Sequence, residues 1–205
     1  MDLKSIYFGV CTNYCNDPNT VTDCWNILCT LYAEPHRHYH TFAHIEDLVN
    51  HAETVKTKIK DYDTFCFSIF YHDAIYNVRK RNNEEKSAEL AETHLLKIGV
   101  NQTMIDKCIH QIIATKNHQK SLVNDTNLFL DIDMSILGSD TETYQKYSDN
   151  VRKEFNIYPR ILYNRGRKKV LTKMLELPFL FHTKEYQETH ENQARINIQN
   201  EIDLL

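Results

Sequence analysis

Apolar positions recur at helical spacing along most of this chain. Val21, Trp25, Leu28 and Tyr32 share one face of a helix that Thr20 or Thr22 can cap. Pro35 ends it, because proline lacks a donor and restricts the residue before it. From His38 onward, Phe42, Ile45, Leu48, Val49, Ala52, Val55 and Ile59 predict a second helix, with His40 and His44 four apart on one face. A third helix starts at Asp61 or Asp63 and is apolar almost all round (Phe65, Phe67, Ile69, Phe70, Tyr71), the pattern of a helix at the centre of a bundle. Residues 83–98 predict a fourth, closed by Gly99. A fifth is expected from Gln102 to about Lys116 and a sixth from about Asn127 to Leu137. Others are expected over 140–155, 160–176 and 184–203, and residues 1–19 read as irregular.

Composition agrees with this pattern. Only four Gly and four Pro in 205 residues leave few turns, which favours long helices over many short strands. The expected fold is therefore all-α, with residues 1–205 forming a single domain, since no repeat, linker or low-complexity segment divides them. A net charge of −4, with basic residues concentrated only in the short run from Arg165 to Lys169, argues against nucleic acid as a partner. No window is apolar enough to span a membrane and no secretory leader is evident, so a soluble, cytoplasmic protein is expected. The six cysteines form no CxxC pair and read as buried free thiols, with Cys11 and Cys15 the most exposed.

The chemistry concentrates at Phe70-Tyr71-His72-Asp73, where one imidazole and one carboxylate leave the end of the most apolar helix. Such a pair must find partners there. His44 and Asp133 complete a set of two imidazoles and two carboxylates, suited to Mn, Fe, Co, Zn or Mg with positions left for water. A His-Asp dipeptide also arises by chance in a chain with 11 His, so its surroundings decide the matter.

Those surroundings are Tyr39-His40-Thr41-Phe42-Ala43-His44, Phe70-Tyr71-His72-Asp73 and Leu130-Asp131-Ile132-Asp133-Met134-Ser135. Together they resemble the HD superfamily of metal-dependent phosphohydrolases. Glu34 to His40, Asn83 to Ala88, Phe129 to Gly138 and Tyr158 to Leu175 resemble a small branch of predicted HD phosphohydrolases, so the likeness covers about residues 25–200. It implies an HD-type helical bundle, with metal ligands at His44, His72, Asp73 and Asp133. Asp133-Met134-Ser135 is similar to the Asp-Leu-Ser of related cyclic-nucleotide phosphodiesterases, which favours Asp133 over Asp131 as the last ligand. In those enzymes the first His of a Tyr-His-Asn-x-x-His motif protonates the leaving oxygen. By that analogy His40 is the general acid, although Thr41 stands where they have Asn; the alternative is that His40 hydrogen-bonds the metal shell.

The resemblance also marks Glu84 as a residue that orients water or holds a second metal, although a glutamate at a helix start is favourable in itself. Lys116 and His118 fall in a Thr-x-x-His element and are candidates for substrate phosphate or a second metal; a cation at a helix C-terminus is the competing reading. Arg37 offers a planar fork for phosphate, and Arg165 and Arg167 are further candidates. His94 reads as packed or solvent-facing. The expected function is hydrolysis of a phosphate ester or phosphoanhydride of a small molecule, a nucleotide above others. The alternatives are a nucleotide-binding sensor without turnover and an HD-type diiron oxygenase drawing on His94 and His118.

Overall fold

The computed structural model describes residues 2–205 and is all-helical: among them no strand occurs. By its internal packing the chain forms two compact units, which meet between Phe129 and Leu130.

The first unit opens with a helix that the sequence reading left as irregular. α1 (Leu3–Cys11) is capped by Asp2, which accepts from Lys4 N at 3.1 Å, and it buries Tyr7, Val10 and Cys11. Nine residues make about two and a half turns, too few for a period to stand out. α2 (Pro18–Tyr32) starts earlier than Thr20 or Thr22 would place it. Its cap is Asp17, which accepts from Asn19 N and Thr20 N, and Pro18 takes a first-turn position where a missing N–H is harmless. α3 (Phe42–Thr54) is capped by Thr41.

α4 (Tyr62–Tyr71) is the buried centre that its composition predicts: Thr64 to Tyr71 are all buried. α1, α3, α5 (Asn83–Ile98) and α6 (Gln102–Ala114) pack around it. Tyr7 of α1 meets Phe70 edge-on at 5.2 Å and donates into or accepts from Tyr71 Oη at 2.7 Å, and Tyr71 Oη in turn meets His94 Nδ1 at 3.0 Å. His94 is thus a core residue, and burial pushes its imidazole down to about 4. Gly99 closes α5 in the left-handed conformation at φ +90°, as its position suggested. Cys11 is fully buried, contrary to expectation, because it lies on the packed face of α1, and burial pushes its thiol up to about 12.

α7 (Asn124–Asp133) begins in the first unit and ends in the second. Asp125 accepts from Lys60 N and Asp61 N, which fixes the start of α7 against the start of α4. Farther along, Phe129 meets Phe65 edge-on at 5.7 Å. The two helices therefore run side by side in the same direction.

The second unit continues with a short 3₁₀ turn (Ser135–Gly138), α8 (Thr141–Glu154), α9 (Arg160–Leu175), α10 (Lys184–Thr189) and α11 (Glu191–Leu204). The expected helix over 184–203 is two helices, interrupted at His190. There the His190 backbone lies so close to Gly138 that a Cβ on the glycine would sit 2.6 Å from the His190 Cβ. α11 is held to the turn by Asn197 Nδ2, which donates to the carbonyls of Leu137 and Ser139. It is held to α9 by Arg167, which donates from Nε and Nη2 to Glu201.

Candidate metal centre

Three local structures carry the candidate ligands. His44 sits in the first turn of α3 and is buried. His72 is the C-cap of α4, still in right-handed helical geometry, and Asp73 follows in the turn beyond. His72 places Nδ1 2.9 Å from the Ile69 carbonyl. Only an N–H can donate to a carbonyl, so Nδ1 carries the proton and Nε2 presents its lone pair. The bond both selects the tautomer and aims the ring.

Asp133 is the last residue of α7, one helical turn beyond Phe129. Phe129 touches the His72 ring edge-on at 5.7 Å. His44, His72 and Asp133 each offer a donor atom, and the three atoms lie within 4.8 Å of one another. Bonds of ~2.1 Å to one ion put donors ~3 Å apart when adjacent and ~4.2 Å apart when opposite. Two imidazoles and a carboxylate at this spacing are a group that can hold a divalent metal.

Asp73 stands beside this group. Its Oδ2 is 3.1 Å from His72 Nε2, the separation of two adjacent ligands, and 4.0 Å from His44 Nε2. His40 is not on α3: it lies in the turn before Thr41, so it does not stack above His44 in the way one continuous helix would impose. The turn instead lays the His40 ring on Tyr76 at 4.2 Å, with Nε2 3.9 Å from Asp73 Oδ2. Tyr39 meets the His44 ring at 4.8 Å.

Asp131, the alternative last ligand, has a different task. It is buried and accepts from His182 N, Thr183 N and Thr183 Oγ1 at 2.6–2.7 Å, which secures the segment ahead of α10. Burial raises its carboxyl, and the Thr183 and His182 bonds oppose that rise.

Arg37 also departs from expectation. Rather than offering its fork to a phosphate, it is buried and donates to four acceptors within the protein. Nη1 reaches the carbonyls of Asp73 at 2.6 Å and His40 at 3.2 Å, Nη2 that of Ala74 at 2.7 Å, and Nε the Glu34 carboxylate. The guanidinium lies over Tyr32 and Tyr76. The sequence reading placed Tyr32 only on the apolar face of α2 and did not single out Tyr76; it is the packing of Arg37 and His40 that brings both to this site.

The remaining candidates fall at the ends of α5 and α6. Lys116 is exposed, forms an ion pair with Glu85, lies 3.8 Å from Glu84 and donates to the Arg81 carbonyl. The Glu85 bond raises the Lys116 ammonium and lowers the Glu85 carboxyl. His118 takes the left-handed conformation (φ +47°) as the chain leaves α6, its N–H donating to the Ala114 carbonyl. Arg167 is engaged by Glu201, as described above. No helix among the described residues is long and apolar enough to cross a membrane.

No family model, no curated protein and no solved structure matches this chain.

Proposed function

We propose that this chain is a metal-dependent phosphohydrolase of the HD type, which cleaves a phosphate ester or phosphoanhydride of a small molecule, with nucleotides the substrate class to test first. The observation that supports the reading is the close grouping of His44, His72 and Asp133, with the Asp73 carboxylate 3.1 Å from His72 Nε2. A divalent ion bound by His44, His72, Asp73 and Asp133 supplies Lewis acidity toward a phosphoryl oxygen and acidifies nearby water.

The protein's own groups divide the remaining work. His72 is locked in one tautomer by Ile69, and Arg37 holds the backbone of Asp73, so both side chains are positioned before substrate arrives. His40, half-buried on the Tyr76 ring and 3.9 Å from Asp73, acts as the general acid and donates a proton to the leaving oxygen. Lys116, beside Glu84, meets substrate phosphate as a point charge, and Glu84 orients water; His118 assists in binding.

The test combines metal analysis with a mass-spectrometric hydrolysis screen of nucleoside mono-, di- and triphosphates, cyclic nucleotides and sugar phosphates. Mn, Co, Mg and Zn are supplied in turn, with His72→Ala as control. Turnover by the wild type together with loss of metal and activity in the variant supports the proposal. Nucleotide binding without turnover under every metal would replace it with the sensor reading. Two redox-active irons per chain would replace it with the oxygenase.

A further inference from the structure

α9 contains a glycine that the fold of this chain does not require. Gly166 lies mid-helix, where it is less favourable than alanine by about 1 kcal/mol. No atom lies within 4 Å of the position a Cβ would take there, so no neighbouring element presses against it. By contrast Gly138, against His190, has an evident steric reason. What Gly166 leaves open is a cleft of about 470 Å³ between α8 and α9, within the second unit. Its walls are apolar: Val151 and Phe155 from α8, Tyr158 from the connection, Leu162 and Val170 from α9. Leu162, Gly166 and Val170 are spaced four apart and form one stripe, in which both apolar side chains are more than half exposed.

Two polar groups line the same cleft. Tyr163 is 8% exposed, and its buried hydroxyl has no hydrogen-bond partner. An unsatisfied hydroxyl in such a place is unfavourable and calls for an explanation. Arg167, one turn along on the same face, uses Nε and Nη2 for Glu201 and Tyr147, which leaves Nη1 uncommitted. The Arg152 guanidinium lies 4.7 Å from the Tyr163 ring centre. Arg152, Arg167 and Glu201 stand near the hydroxyl, and the adjoining cleft that Tyr163 also lines adds Asp149 and Arg160.

We propose that this cleft is a binding site for a small monocarboxylate with an apolar body, acyl or aryl. The Tyr163 hydroxyl and Arg167 Nη1 donate to the carboxylate, and the body lies along Phe155, Leu162 and Val170 over Gly166. A convergent pair of donors at one end of an apolar cleft is the usual form of a small-molecule site. A hydroxyl and a guanidinium N–H both donate, so they favour an anionic acceptor over a neutral head group, and the nearby Glu201 opposes a second negative charge on it. This site is independent of the metal centre and of the phosphohydrolase reading.

The experiment is calorimetric titration of the full chain with decanoate, 2-naphthoate and decanol. It compares the wild type with Tyr163→Phe and Gly166→Leu, each checked for an unaltered or higher Tm and run beside light scattering. The proposal expects at least one carboxylate to bind, decanol to bind at least tenfold more weakly, Tyr163→Phe to lose about tenfold, and Gly166→Leu to lose binding altogether. Gly166→Leu fills open space and improves helix propensity, so loss of binding there is not loss of fold. Failure of both carboxylates to bind, or binding indifferent to Gly166→Leu, overturns it. A wild-type dimer that Gly166→Leu converts to monomer also overturns it, by showing that a second copy fills the cleft.

Discussion

Arg37 donates from Nη1 to the carbonyl of Asp73 at 2.6 Å, which ties the segment before α3 to the turn that carries His72 and Asp73. The same guanidinium reaches the carbonyls of His40 and Ala74, so one side chain sets the relative position of the proposed acid and the proposed ligands. A guanidinium suits this task because its donors are fixed in a plane, whereas an ammonium presents one mobile point.

Replacing Arg37 therefore has an expected outcome on two measurements. Arg37→Ala leaves buried carbonyls without donors and should lower stability by about 2–4 kcal/mol in urea denaturation. It should also reduce metal content, because the Asp73 turn loses its support. Arg37→Lys keeps the charge but not the fork and should recover less than half of either loss. Normal metal content in a destabilised Arg37→Ala would separate the buckle from the site and contradict this account.

The two aspartates two residues apart on α7 should behave oppositely. Asp131 is hydrogen-bonded to His182 and Thr183, so Asp131→Ala should cost about 2–4 kcal/mol of stability through unsatisfied N–H groups. Asp133→Ala should leave stability measured in a chelator nearly unchanged and remove bound metal. Paired denaturation and metal analysis decide between them; a metal-free Asp131→Ala that is fully stable would reverse the assignment.

His94 gives the fold a pH dependence of known sign. Burial pushes its imidazole from 6.5 down to about 4, so the unfolded chain binds this proton more readily than the folded one. Its contribution is complete above about pH 6.5 and is lost as pH falls toward 4. Melting temperature should fall through that window in the wild type, and the slope should be shallower in His94→Phe. An identical slope in both proteins would assign the effect to other groups.

Thiol reactivity offers a simple check on burial. Cys11, Cys24, Cys66 and Cys108 are buried, whereas Cys15 and Cys29 are partly accessible. Titration of the native protein with an aromatic disulfide should show two fast thiols, and six after denaturation. A third fast thiol would mean that a buried segment opens readily, and mapping it to Cys11 would place that opening at α1.

Much of the fold was legible in residue spacing. The all-helical class, the central place of α4, the extent of α5 and its Gly99 cap each follow from apolar periodicity and backbone preference, which act over a few residues and are written locally. The same locality explains the failures. α1 is too short to show a period, and the break at His190 depends on Gly138, some fifty residues earlier, so no pattern within 184–203 reveals it.

The candidate site divides along the same line. Sequence by itself determined which residue types are available, and its short motifs proposed His44, His72, Asp73 and Asp133 as one set. Only tertiary structure decided what each does, because a polar side chain takes its role from the partners that packing brings to it. Asp131 and Asp133 are chemically identical, yet a turn of about 200° on one helix points them to different faces, and packing gives the first the backbone N–H groups of His182 and Thr183. Arg37 could equally have faced solvent or a phosphate. It is a structural buckle because the chain between α2 and α3 folds back over the Asp73 turn, and buried carbonyls there require a donor.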